Sequence, residues 1–146
     1  MPHPFPHRYQ VSLSWKEADL SEIASGARPP IGGGSPPEFD GSDPSRWSPE
    51  HLLLAALTQC LMLTFLALAK RKPGLELKGW DASGESVLEK TKEGLVFTSF
   101  KVSVRAKVPT GFEDEAKRLI ESSKRYCIVA NALKTPSTLE AEVSAA

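Results

Sequence analysis

The stretch SPEHLLLAALTQCLMLTFLALAK, residues 48–70, decides how the rest of the chain has to be read. Ser48 suits a helix N-cap and Pro49 the first helical position. Glu50 then puts a carboxylate into the first turn, where it complements the helix dipole. Pro73 and Gly74 stop the helix. Apolar residues surround it almost completely, which predicts burial on several sides. Its most apolar run, Leu52 to Ala69, is interrupted by Thr58, Gln59 and Thr64 and followed directly by KRKPG. A membrane-spanning helix needs about 20 mostly apolar residues, so the reading is a core helix and no membrane.

Outward from this helix the pattern changes to strands. Upstream, YQVSLSW (9–15) alternates with a period of two, and LSEIASG (20–26) and the residues near Ile31 supply two more short strands. Between them and the helix lies PPIGGGSPPEFDGSDPSRWSP (29–49), dense in glycine and proline and therefore loop. Downstream, two strands flank a turn at KTKEG (90–94). In the second of these, Val96, Thr98, Phe100, Val102, Val104, Ala106 and Val108 share one face, and Lys101, Ser103, Arg105 and Lys107 the other. That alternation predicts a half-buried antiparallel strand. TGFE (110–113) fits a capping box, and Phe112, Ala116, Leu119 and Ile120 form a helical stripe. A short helical piece, CIVANAL, starts at Cys127, and STLEAEVSA closes the chain as a strand with Leu139, Ala141 and Val143 on one face. The order of elements predicts an α+β fold with an antiparallel sheet, in one domain spanning residues 1–146.

Composition excludes several function classes. Eighteen basic and eighteen acidic residues cancel, leaving no electrostatic reason to expect nucleic acid or an anionic membrane as partner. The opening MPHPFPHRYQ is proline-rich and lacks the apolar segment of a secretory signal, so the expected compartment is the cytoplasm. There, two cysteines are more often metal-binding, catalytic or redox-active than a structural staple. They stand 67 residues apart, which is no CxxC site, and two ligands would leave zinc half-coordinated. No G-x-S-x-G elbow occurs, and nothing ties His51 to Cys60 as a base.

Redox thiol chemistry remains. A nucleophilic cysteine must ionise more readily than a free thiol, through a nearby cation or a helix N-terminus. Cys60 is mid-helix, so its own helix cannot supply this and an arginine must come from elsewhere. Cys127, at the start of a short helix, has a thiolate-favouring position of its own. Glu50 precedes Cys60 by ten residues, about 15 Å of helical rise. If both serve one site, either the helix bends near its start or Glu50 comes from a second subunit.

SPEHLLLAALTQC, followed later by YCIVANAL, resembles the OsmC/Ohr family of organic hydroperoxide reductases. The agreement runs through Pro49, Glu50, Leu52, Ala55 or Ala56, and Cys60, then Cys127, Val129, Asn131, Ala132 and Leu133, and with the order of elements covers nearly the whole chain. The resemblance implies an intertwined homodimer, with antiparallel sheets packed on the long helix and a second helix. It makes Cys60 the peroxidatic cysteine and Cys127 the resolving one. Glu50 would orient an arginine that holds Cys60 as thiolate, with Arg28 preferred over Arg46. No cofactor or metal is implied; the external reductant would be a dithiol such as dihydrolipoamide or a lipoylated protein. Ile128 and Ala130 depart from the family's usual proline and serine.

Other readings compete. Cys60 as core filler, a structural Cys60–Cys127 disulfide, and a non-enzymatic dimer binding a hydrophobic small molecule are each compatible with parts of the pattern. Glu50 could be a dipole-pairing carboxylate alone. The aromatics Trp15, Trp80, Phe97 and Phe100 read as core or interface, and Asn131 as a helix-end hydrogen-bonder.

Overall fold

The structure, a computed structural model, describes residues 3–146. They group into two compact units, one running to Leu52 and one from Leu53 to Ala146, with the division inside the first turns of the long helix.

The first unit holds an antiparallel sheet of β1 (Ser12–Glu17), β2 (Leu20–Ala24) and β3 (Ile31–Gly33), in that spatial order. Ala18, at positive φ, turns β1 into β2 and presents Asp19 to the glycine- and proline-rich loop. The Asp19 carboxylate accepts the backbone N–H of Ser35 at 3.0 Å and of Ser42 at 3.3 Å, and also the Ser42 hydroxyl. Those bonds, the Ser42 hydroxyl foremost, hold Asp19 below the usual carboxylate range. The loop base is closed by Gly34 N–H to the Trp47 carbonyl and Trp47 N–H to the Gly32 carbonyl, each 3.1 Å. All six residues of β1 are exposed, Leu13 by 64% and Trp15 by 70%, which leaves an apolar sheet face uncovered in the single chain.

Ser48 caps the helix as the sequence requires, its Oγ accepting the His51 backbone N–H at 3.1 Å. The helix, α1, runs unbroken from Pro49 to Ala69. The second unit adds β4 (Gly79–Thr91), β5 (Gly94–Val108), α2 (Glu113–Tyr126), α3 (Ile128–Ala132) and β6 (Ser137–Ala145). Its sheet has the order β4-β5-β6. The mixed α+β class stands. β4 and β5 form the expected antiparallel hairpin, but β6 lies parallel to β5, because α2 and α3 carry the chain back across the sheet before it re-enters.

Two local expectations are corrected. The β5 face holds from Phe100 to Val108, where every second residue is buried. Before it the pairing jumps from Val87–Ser99 to Leu88–Phe97, so Thr98 is the extra residue of a bulge. The bulge swaps the faces, and Phe97 instead of Val96 and Thr98 packs on the core, its ring 5.1 Å from Phe100. The capping box does not form either. α2 starts at Glu113, with Phe112 at the cap position making no side-chain bond, and Glu113 reaches back to the Gly111 N–H at 2.7 Å. The stripe of α2 is otherwise as read: Ala116 and Ile120 are fully buried, joined by Ser123.

α1 lays Leu57, Leu61, Phe65 and Ala69 on the core, and Phe65 stacks on Trp80 at 5.2 Å. The approach is close at Gly84 of β4, where a side chain's first carbon would stand 2.6 Å from Thr58 Oγ1. Burial on several sides, expected from composition, is not met within one chain. A single stripe is buried, and Leu63 on the opposite flank is 51% exposed.

Candidate active site

Cys60 lies in the middle of α1, one residue before the buried Leu61, so its side chain is at the margin of the core stripe and only partly buried. Thr64, one turn on, donates its hydroxyl to the Cys60 carbonyl at 2.8 Å and places Oγ1 4.0 Å from the sulfur. The second cysteine arrives from the other end of the unit. α2 ends at Tyr126; Cys127 takes an extended backbone conformation and caps α3, its Sγ accepting the Ala130 N–H at 3.4 Å. Cys127 is fully buried and both thiols are free. Asn131 ties the turn down through Nδ2 to the Arg125 carbonyl at 3.1 Å, the helix-end role expected of it.

The two thiols influence each other's ionisation, and their proton affinities are shifted in opposite directions. Burial works against a charged Cys60. The Val129 amide, the Cys127 thiol, the Thr64 hydroxyl and the Ile128 amide outweigh it, and Cys60 ionises below the ordinary thiol range. Cys127 is pushed up to about 11, first by burial and further by its sulfur neighbour, with the Ala130 amide acting the other way. This corrects the sequence reading of which thiolate the short helix favours. The first turn of α3 serves Cys60, while Cys127, although it caps that helix, keeps its proton. Sequence reasoning missed the two amides because main-chain donors leave no side-chain signal.

The remaining candidates, Glu50, Arg28 and Arg46, belong to the first unit. α1 is unbroken from Pro49 to Ala69, and the ten residues from Glu50 to Cys60 correspond to about 15 Å of helical rise. Glu50 Oε2 is buried and has no hydrogen-bond partner among the described residues. In the first unit, Arg28 Nη1 donates to the Ser25 carbonyl at 3.4 Å. Arg46 is engaged with Asp43 at 3.3 Å. No group of three or more His, Cys, Asp and Glu side chains gathers as a metal site among the described residues.

A family model for OsmC-like proteins matches residues 41–142, which contain both cysteines. The chain belongs to the OsmC-like family. Among solved structures, an OsmC-like protein from Vibrio cholerae superposes with a TM-score of 0.84 at 15% identity, covering 94% of this chain and 100% of its own. An organic hydroperoxide resistance protein OsmC from Legionella pneumophila gives 0.70 at 17% identity, covering 97% and 99%. The organic hydroperoxide resistance protein OhrB of Bacillus subtilis gives 0.63 at 15%, covering 94% and 98%. At these identities the likeness is one of fold. No curated protein sequence matches the chain.

Proposed function

We propose that this OsmC-like protein is a cysteine-based thiol peroxidase that reduces organic hydroperoxides to alcohols. The observation that carries the reading is the pairing of Cys60, whose proton is loosely held, with Cys127, whose proton is tightly held. The Cys60 thiolate attacks the terminal peroxide oxygen. An S–O bond forms as the O–O bond breaks, and the alkoxide takes a proton and leaves as the alcohol. The Cys60 sulfenic acid then condenses with the Cys127 thiol, forming the disulfide and releasing water. An external dithiol, for which dihydrolipoamide or a lipoylated protein is the proposed source, returns both thiols and is itself oxidised.

The rest of the proposed site comes from a homodimer in the cytoplasm. A buried carboxylate oxygen without a donor is costly, and Glu50 Oε2 is one. We assign it the guanidinium of Arg28, since Arg46 already has Asp43. The unbroken α1 supports a second copy as the route by which Glu50 meets a Cys60. The test is single-turnover oxidation of reduced protein by cumene hydroperoxide. Wild type should release alcohol and form the Cys60–Cys127 disulfide; Cys127→Ser should stop at the sulfenic acid, and Cys60→Ser should not react. A wild-type rate no faster than that of free cysteine would overturn the proposal and favour the non-enzymatic binder.

A further inference from the structure

Within the proposed cycle the two disulfide sulfurs are not equivalent targets for the reductant. Displacement at sulfur runs in line: the incoming thiolate approaches opposite the sulfur that leaves. To attack Cys127, a thiol would have to arrive on the extension of the Cys60–Cys127 axis behind Cys127. Cys127 is 0% exposed and belongs to the buried core together with Ile120, Val102 and Val104. Reaching Cys127 would therefore require the core to open. Cys60 is only partly buried. Ile128, next to Cys127 and with a backbone amide that favours the Cys60 thiolate, is 80% exposed.

We propose that the external thiol reduces the oxidised protein by attacking Cys60 Sγ, so that the mixed disulfide forms on Cys60 and Cys127 is the leaving thiol. The inference rests on the disulfide cycle proposed above. A bond forms between the reductant's sulfur and Cys60 as the Cys60–Cys127 bond breaks, and Cys127 takes up a proton to end as the buried thiol. The second thiol of the dithiol then attacks the reductant's own sulfur in the mixed disulfide. Cys60 leaves as the thiolate and the cyclic disulfide departs. The exposed Ile128 suits a thiol carried on an uncharged aliphatic chain.

Access and leaving-group strength pull in opposite directions here. The sulfur that ionises more easily is the better leaving group, which by itself would direct attack to Cys127. Burial prevails because an attack on Cys127 would first require the core to open, and a better leaving group does not remove that cost. The step at Cys60 should therefore be the slower of the two exchanges.

The test uses wild-type protein oxidised with diamide, which makes the disulfide without any peroxide. Butanethiol, which cannot complete the second exchange intramolecularly, is added and the mixture is quenched in acid within milliseconds. Free thiols are blocked, and peptide mass spectrometry locates the butanethiol adduct. The expected result is an adduct on Cys60 in large excess with Cys127 blocked as free thiol. An adduct on Cys127, or an even distribution, overturns the proposal. Failure of diamide to link Cys60 to Cys127 overturns it together with the peroxidase cycle. A diamide-made disulfide in a protein inert to hydroperoxides would sink the cycle alone and leave the site of attack to be read from the adduct.

Discussion

At Cys60 the thiol loses its proton below the ordinary range, and at Cys127 only near 11, although both are cysteines of one small unit. The difference comes from what each sulfur faces: amides and a hydroxyl at one, an apolar core at the other. Iodoacetamide should therefore label Cys60 at a pH where free cysteine is already slow, and leave Cys127 unlabelled until the protein unfolds. The pH dependence of stability carries a second signature. In the folded protein Cys127 binds its proton more tightly than an ordinary thiol at 9.0, so the contribution is fully present below pH 9 and is lost as pH rises towards 11. Over that window wild type should lose on the order of 2 kcal/mol relative to Cys127→Ala, read by urea unfolding. A constant difference between the two proteins would contradict the assigned proton. The sequence marked both cysteines, yet their order of ionisation was not legible, because it depends on amides placed by the backbone of α3.

Among the elements, α1 and β5 were the most legible and the joints between elements the least. Ser48 and Pro49 set the start of α1 by local chemistry that needs no tertiary partner. The bulge at Thr98 and the late start of α2 are settled by pairing and packing, so TGFE offered a cap that the chain does not use. Gly84 is a case where an element's residue answers to another element. It sits in a strand, where glycine is weak, because Thr58 and Leu54 of α1 occupy the space a side chain would need. Gly84→Val should destabilise the protein by about 1–3 kcal/mol in urea titrations, since helix and sheet must part to admit it. An unchanged midpoint would mean that α1 gives way without cost.

For the whole molecule, the open question is what covers the apolar surface that one chain leaves out. α1 has a mean hydropathy of 2.2 over 18 residues, but only 22% of that window is buried. The same length and composition could cross a bilayer. The proposed homodimer accounts for the surface in another way, by pairing identical apolar faces about a two-fold axis. Sedimentation of the purified protein should give twice the 15.9 kDa of the chain. Leu63→Asp, which places a charge on the uncovered flank of α1, should move the equilibrium towards the single chain. A protein that stays monomeric at micromolar concentration would withdraw the second copy as the source of Glu50.

The sequence by itself determined the elements, their order, and the two cysteines with the carboxylate that precede any chemistry, because caps, breakers and periodicity act over a few residues. It could not determine that β6 runs parallel to β5, that one stripe alone of α1 is buried, or that the α3 amides turn towards Cys60. Those depend on residues far apart in the chain meeting in space. The proton affinity of a thiol is set by whichever groups arrive there, and only the tertiary structure decides which they are.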